Sequence, residues 1–206
     1  MYKNREEAGQ KLADELSQYE DEDAVLLAIP RGGVPVAYEI AKRLDIPLDV
    51  IIVKKIGHPN NPEYAVGAAS VNSSYINPDN IRRVTEEYLE EAKNKKQREA
   101  KEIYKELRGE TSPVDLVGKT AILVDDGVAT GSTLKMAITV AKNLGAKKVV
   151  IAVPVGSPQA IGMLRQESDD IICPLQPKVF HAIGQFYQDF SQVPTEVAKE
   201  MLKENE

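Results

Sequence analysis

Five short, unbroken apolar runs punctuate the chain: AVLLAI (24–29), LDVIIV (48–53), TAILV (120–124), KVVIAV (148–153) and DIIC (170–173). Without alternation of apolar and polar positions, each reads as a strand covered on both faces, which is the habit of parallel sheets. Between the runs the spacing changes to three and four. Ala8, Leu12 and Leu16 predict a first helix reaching about Tyr19, opened by Asn4 and Glu7 in the arrangement of a capping box. Three more helices are predicted over 36–44, 134–144 and 159–166. This succession of strands and helices, with right-handed crossovers, gives an α/β fold doubly wound about a mainly parallel five-stranded sheet.

Two segments fall outside that rhythm. EYAVGAASVNSSYI (63–76) predicts a small hairpin turning near Asn72 and Ser73. The stretch 77–109 opens on Asn77 and Pro78, a cap and a first-turn residue, and predicts a helical insertion. Its middle, AKNKKQREAKE, is charged nearly all round and reads as a solvated helix. With no internal repeat, low-complexity tract or linker, residues 1–206 are expected to form one domain, its core at about 20–155.

Composition narrows the classes. A chain of 206 residues buries roughly 70% of its unfolded surface, so neither disulfide nor metal is needed for stability. With three Phe and no Trp, the core must be mainly aliphatic. The formal charge of −6 and pI of 5.2 argue against a nucleic-acid-binding surface, though not against a local basic pocket. The lone cysteine, Cys173, allows no intrachain disulfide and no cysteine cluster for zinc, and suits a reducing compartment. The opening MYKNREEAGQ lacks the apolar run of a signal peptide, and no stretch reaches the ~18 apolar residues of a membrane span. A soluble, cytoplasmic protein with no nucleic-acid or membrane partner is the expectation.

In open α/β sheets, ligands sit outside the carboxyl ends of the strands. The third run ends as ILVDDGVATGST (122–133). In Ala129-Thr130-Gly131-Ser132-Thr133, small residues let backbone amides converge on an anion at a helix N-terminus, and the hydroxyls add donors. A plain strand–helix turn with a hydroxyl cap would look similar. It is not a Walker A loop, since no Lys follows Gly131. Asp125 and Asp126 would repel a bare phosphate, but a carboxylate accepts hydrogen bonds from vicinal hydroxyls. A sugar phosphate satisfies both halves.

ILVDDGVATGST resembles the signature of type I phosphoribosyltransferases. That resemblance implies that residues 129–133 hold the 5-phosphate of phosphoribosyl pyrophosphate and that Asp125 and Asp126 hold its ribose hydroxyls. One departure is Gly127, where the family usually has a bulky aliphatic residue. AIPRGGVPVA (28–37) stands in the place of the family's pyrophosphate loop, with the amides of Arg31, Gly32 and Gly33 facing the diphosphate and Arg31 adding charge. VKKIGHPNNPEYAVGA (53–68) and VFHAIGQFYQDFSQVPTEV (179–197) resemble a bacterial subgroup of the family. The resemblance to the wider family, several of whose members have a basic pair here, implies that Lys54 and Lys55 lie on the pyrophosphate, against the plain alternative of surface lysines. Lys54 stands where the subgroup has Arg, which keeps the charge but loses the bidentate fork.

The implied reaction is magnesium-dependent transfer of the phosphoribosyl group to a nitrogenous base. Mg2+ is held by the substrate and water, with Asp125 a candidate to complete its shell, and no residue is a direct metal ligand. A cytoplasmic homodimer in nucleotide salvage, with a hood from the C-terminal segment, is implied as well. The N-terminal helix is a candidate to join that hood. Ala129 stands where the hypoxanthine–guanine type has a proton-handling Asp, so a general acid or base must come from elsewhere; Glu63 is the candidate. His58, His181 and Cys173 read as structural or surface residues. Phe180, Phe186, Tyr187 and Phe190 fit a lid stacking on a base or the packing of a terminal segment equally well. Two further readings stay open: a non-catalytic module that binds phosphoribosyl pyrophosphate or nucleotides, and, more weakly, a nucleotide-dependent methyltransferase.

Overall fold

The computed structural model describes residues 1–205. Five parallel strands form the main sheet: β1 (Ala24–Ala28), β2 (Leu48–Val50), β6 (Thr120–Val124), β7 (Lys148–Ala152) and β8 (Asp170–Ile172), in the order β2-β1-β6-β7-β8. All five predicted runs are strands, and the doubly wound sheet is present. Successive residues face opposite sides, as the pleat requires. Leu26, Ala28, Ile122 and Val124 enter one core with α2 (Gly33–Leu44), the end of α3 (Glu86–Arg108) and α6 (Thr195–Glu204). Val25, Leu27, Ala121 and Leu123 enter the other, with α4 (Ser132–Asn143) and α5 (Pro158–Leu164).

The chain runs outward from β1 to β2 on one side and from β6 to β8 on the other. The strand order therefore switches between β1 and β6, where Ala28 is in register with Val124. The loops that follow these two strands lie side by side, at the place where such sheets take ligands.

Several expectations change. The helix α1 (Arg5–Glu15) ends before Tyr19, and residues Ser17–Tyr19 form a 3₁₀ turn instead. Asn4 caps it, its Oδ1 accepting from the Glu7 amide at 3.0 Å. The Glu7 carboxylate reaches back to the amide of Lys3 at 2.6 Å, one residue before the cap. The predicted hairpin belongs to a separate antiparallel sheet of β3 (Lys54–His58), β4 (Asn61–Ala69) and β5 (Ser74–Ile76). The inserted helix α3 starts at Glu86, not at 77. Asn77 and Pro78 open a 3₁₀ turn over Pro78–Asn80, and Thr85 is the helix cap, accepting from the Tyr88 amide at 3.3 Å.

A buried ion pair ties α3 to the sheet. Asp49 is 4% exposed and takes the Tyr104 hydroxyl at 3.0 Å, the Val114 amide at 2.9 Å and the Arg108 guanidinium at 3.2 Å. At the other end of the helix, the Tyr88 hydroxyl donates to the Gly57 carbonyl at 2.8 Å. The termini are stitched together as well: the Tyr2 amide donates to the Phe186 carbonyl at 2.8 Å, and the Gln188 amide returns to Tyr2 O at 2.9 Å. No helix among the described residues is long and apolar enough to cross a membrane.

Candidate active site

The turn after β6 presses against the loop after β1. A Cβ on Gly32 would fall 2.2 Å from Asp126 Oδ2, and one on Gly33 would fall 2.4 Å from the Val124 carbonyl. Both glycines are therefore required by protein contact, before any ligand is considered. The Gly33 amide donates to the Ile29 carbonyl at 3.0 Å, so only the amides of Arg31 and Gly32 stay candidates for an anion. Arg31 donates through a guanidinium nitrogen to the Thr195 hydroxyl at 2.9 Å, which anchors the loop to the start of α6.

The two acids differ in their surroundings. Asp126 is buried and receives Nε and an Nη of Arg5, both at 2.8 Å on the same oxygen. Its backbone carbonyl accepts the Tyr187 hydroxyl at 2.6 Å, and its amide donates to Asp125 Oδ1 at 2.9 Å. Burial, then the charge of Asp126, raises the Asp125 carboxyl well above its ordinary range. Burial raises Asp126 too, with the Arg5 guanidinium opposing it.

Beyond the acids, residues 129–133 wrap the N-terminus of α4. Gly131 adopts φ 77°, and a side chain there would also meet Met163 Cε at 2.8 Å. Gly131, at the cap position, offers no side chain; Thr130 Oγ1 accepts from the Ser132 amide at 3.5 Å, and Thr130, Ser132 and Thr133 are exposed. The Ser157 hydroxyl braces the turn by donating to the Ala129 carbonyl at 2.7 Å. Gly127 is explained by a distant residue: its Cβ would lie 2.6 Å from Ile183 Cγ2, so the C-terminal segment fills the space of a side chain there.

A cavity of about 340 Å³ opens beside the loop after β1, between the end of β2 and α3, lined by Arg31, Lys54, Thr133 and Thr195 together with Ile103 and Glu106 of α3; Asp125 and Asp126 do not line it. Lys55 does not share it. Adjacent strand residues face opposite ways, and Lys55 lies instead with Glu63 and Ser132 in a second groove of about 430 Å³, beside α4. Lys55 Nζ and Glu63 Oε2 pair there at 2.9 Å, so Glu63, which is exposed, is not brought to the cavity of Arg31 and Lys54. Lys54 does feel α3: Lys96 first, then Lys54 and Lys95, hold the Glu99 carboxyl below its usual value.

The remaining candidates are structural in their contacts. His58 joins the hairpin tip to the Arg82 carbonyl at 3.3 Å, and His181 is exposed. Burial pushes the Cys173 thiol up to about 12. Tyr187 is buried between Tyr2 and Phe190, with ring centroids 5.5 and 5.0 Å away, whereas Phe180 and Phe186 pair at 5.2 Å in a partly open position. Arg5, Ile183, Thr195 and Glu106 were not picked out from sequence. Arg5 carries a signal as a cation in the first turn of a predicted helix, where the dipole disfavours it, and Ile183 and Thr195 lie within the 179–197 segment that resembles the subgroup.

The chain is similar to known proteins over most of its length. The family described as "Phosphoribosyl transferase domain" matches residues 1–191. Proteins from two strains of Mycobacterium tuberculosis, each named "Putative phosphoribosyl transferase", are 38% identical over 195 residues, 93% of this chain and 44% of their own length. The chain thus spans less than half of the curated relatives it matches. The crystal structure of TT1426 from Thermus thermophilus is 36% identical, covers 99% of this chain and 98% of its own, and superimposes with a TM-score of 0.88.

Proposed function

Because the chain belongs to the phosphoribosyl transferase domain family, we propose that it transfers the 5-phosphoribosyl group of phosphoribosyl pyrophosphate to a nitrogenous base, releasing pyrophosphate. One observation carries this reading. The loop after β1 and the first turn of α4 contribute Arg31 and Thr133 to a single cavity, and Lys54 adds a second cation. A phosphate at the α4 N-terminus and a diphosphate at Arg31 then lie within reach of one ligand, with the acid turn between them.

On this reading residues 129–133 hold the 5-phosphate through amides and hydroxyls. Asp125 accepts the ribose hydroxyls, and the amides of Arg31 and Gly32 with the Lys54 ammonium face the diphosphate. Catalysis is then chiefly orientation and the stabilisation of charge building on the leaving group. Among the described residues no group of His, Cys, Asp or Glu side chains could hold a metal by itself. A hard cation taking its oxygens from the diphosphate and water, with Asp125 alongside, fits this donor set. When bound, magnesium would neutralise part of the leaving-group charge.

Incubation with phosphoribosyl pyrophosphate, magnesium and a panel of purine and pyrimidine bases, followed by assay of pyrophosphate release, tests the proposal. Release that depends on one base supports it. Tight binding of the sugar phosphate with no release for any base favours a regulatory binding module instead. The same reading carries a cytoplasmic homodimer acting in nucleotide salvage, and sedimentation of the purified protein tests that assembly.

A further inference from the structure

Arg5 is the first residue of α1, at the positive end of the helix dipole, yet its side chain is only 11% exposed. Its partners account for this. Nε and one Nη meet Asp126 Oδ2 at 2.8 Å, the other Nη donates to the Ser191 carbonyl at 2.8 Å, and Cζ lies 4.0 Å from the Phe190 ring centroid. The same Asp126 Oδ2 abuts Gly32, where even a methyl group would collide at 2.2 Å. The Asp126 amide holds Asp125 Oδ1 at 2.9 Å. One guanidinium thus grips a residue that touches both ligand-facing loops.

We propose that Arg5 is a positioning residue for the phosphoribosyl site: it holds Asp126 as a buried counter-charge against Gly32, and leaves Asp125 to meet the ribose hydroxyls. The inference rests on the phosphoribosyl reading above. It divides the acid pair into one residue that shapes the site and one that contacts ligand. It also makes the N-terminal helix and the C-terminal segment around Phe190 and Ser191 part of the device that sets the 30–33 loop.

Removing one member of a buried ion pair strands the other, whereas neutralising both is far milder. That asymmetry supplies the test. Arg5→Met, Arg5→Lys and the double variant Arg5→Met with Asp126→Asn are compared with the unaltered protein in two measurements. One is binding of phosphoribosyl pyrophosphate with magnesium by calorimetry, and the other is amide hydrogen exchange of residues 31–34 without ligand. Arg5→Met is expected to weaken binding by roughly 10- to 100-fold, the scale of a small misplacement of binding groups, and to speed exchange at 31–34. Arg5→Lys, which keeps the charge, recovers part of both, and the double variant recovers more than Arg5→Met alone. The proposal is overturned if the double variant binds no better than Arg5→Met, because Asp126 is then itself a ligand contact. It is equally overturned if Arg5→Met leaves exchange at 31–34 unchanged. Should the unaltered protein fail to bind phosphoribosyl pyrophosphate, the functional reading falls by itself, and the exchange measurement still judges Arg5.

Discussion

A carboxyl group at the end of a buried strand is tolerated at a cost that depends on its proton. Asp125 is such a group, raised first by burial and then by the charge of Asp126. Its folded-state pKa lies above the ordinary 3.8, so the folded protein holds that proton more tightly than the unfolded chain does. Its contribution to stability is intact below pH 3.8 and is lost as pH rises through the folded value. Asp125→Asn, which mimics the protonated form, is therefore expected to stabilise the unliganded protein at pH 8 by about 1–3 kcal/mol. Urea unfolding at a series of pH values checks this, and the advantage should vanish in acid. The same substitution should weaken binding of phosphoribosyl pyrophosphate, a trade of stability against function. Gly127 and Ile183 make a second residue-scale case. Gly127→Val should destabilise by about 1–3 kcal/mol through overpacking, and adding Ile183→Ala should restore much of the loss. Additive losses in thermal unfolding would contradict the packing described.

Among the elements, α3 depends most on a few polar contacts. Its outer face is solvated, and Asp49 holds its last turns through Tyr104 and Arg108. Tyr104→Phe should cost about 1–3 kcal/mol, as for a hydrogen bond to a charged group. Asp49→Ala should cost about 3–5 kcal/mol, because it removes the buried carboxylate that Tyr104, Arg108 and the Val114 amide share. Both are measurable by denaturant unfolding. The elements also show what sequence could and could not convey. The five buried strands were legible because each is a continuous aliphatic run. Lys54–His58 hid as a strand because KKIGH carries charge and glycine, and only its pairing with β4 makes it one. With that strand unseen, the opposite faces of Lys54 and Lys55 were unseen too. The small-residue turn at 129–133 and the two acids stand out in the sequence because they lie within a dozen positions. The partner of Asp126 was not, because Arg5 lies 121 residues away and reaches it only through the tertiary fold.

For the molecule as a whole, a net charge of −6 works against any polyanionic ligand, and the cations Arg31 and Lys54 must overcome it locally. Pyrophosphate binding should weaken severalfold as salt rises from about 0.05 to about 0.5 M, while the screening length shrinks severalfold. Lys54→Gln should flatten that dependence, and calorimetric titration across the salt series decides it. The stitched termini have a consequence in time. The Ser191 carbonyl that Arg5 binds is made 186 positions after it. The sheet can be complete once β8 has left the ribosome, while Tyr187 and Phe190 are still to come. Contacts of such long range form late. A chain cut after residue 172 would thus carry its strands with an unsealed acid turn, and the candidate site would mature only with residues 187–191.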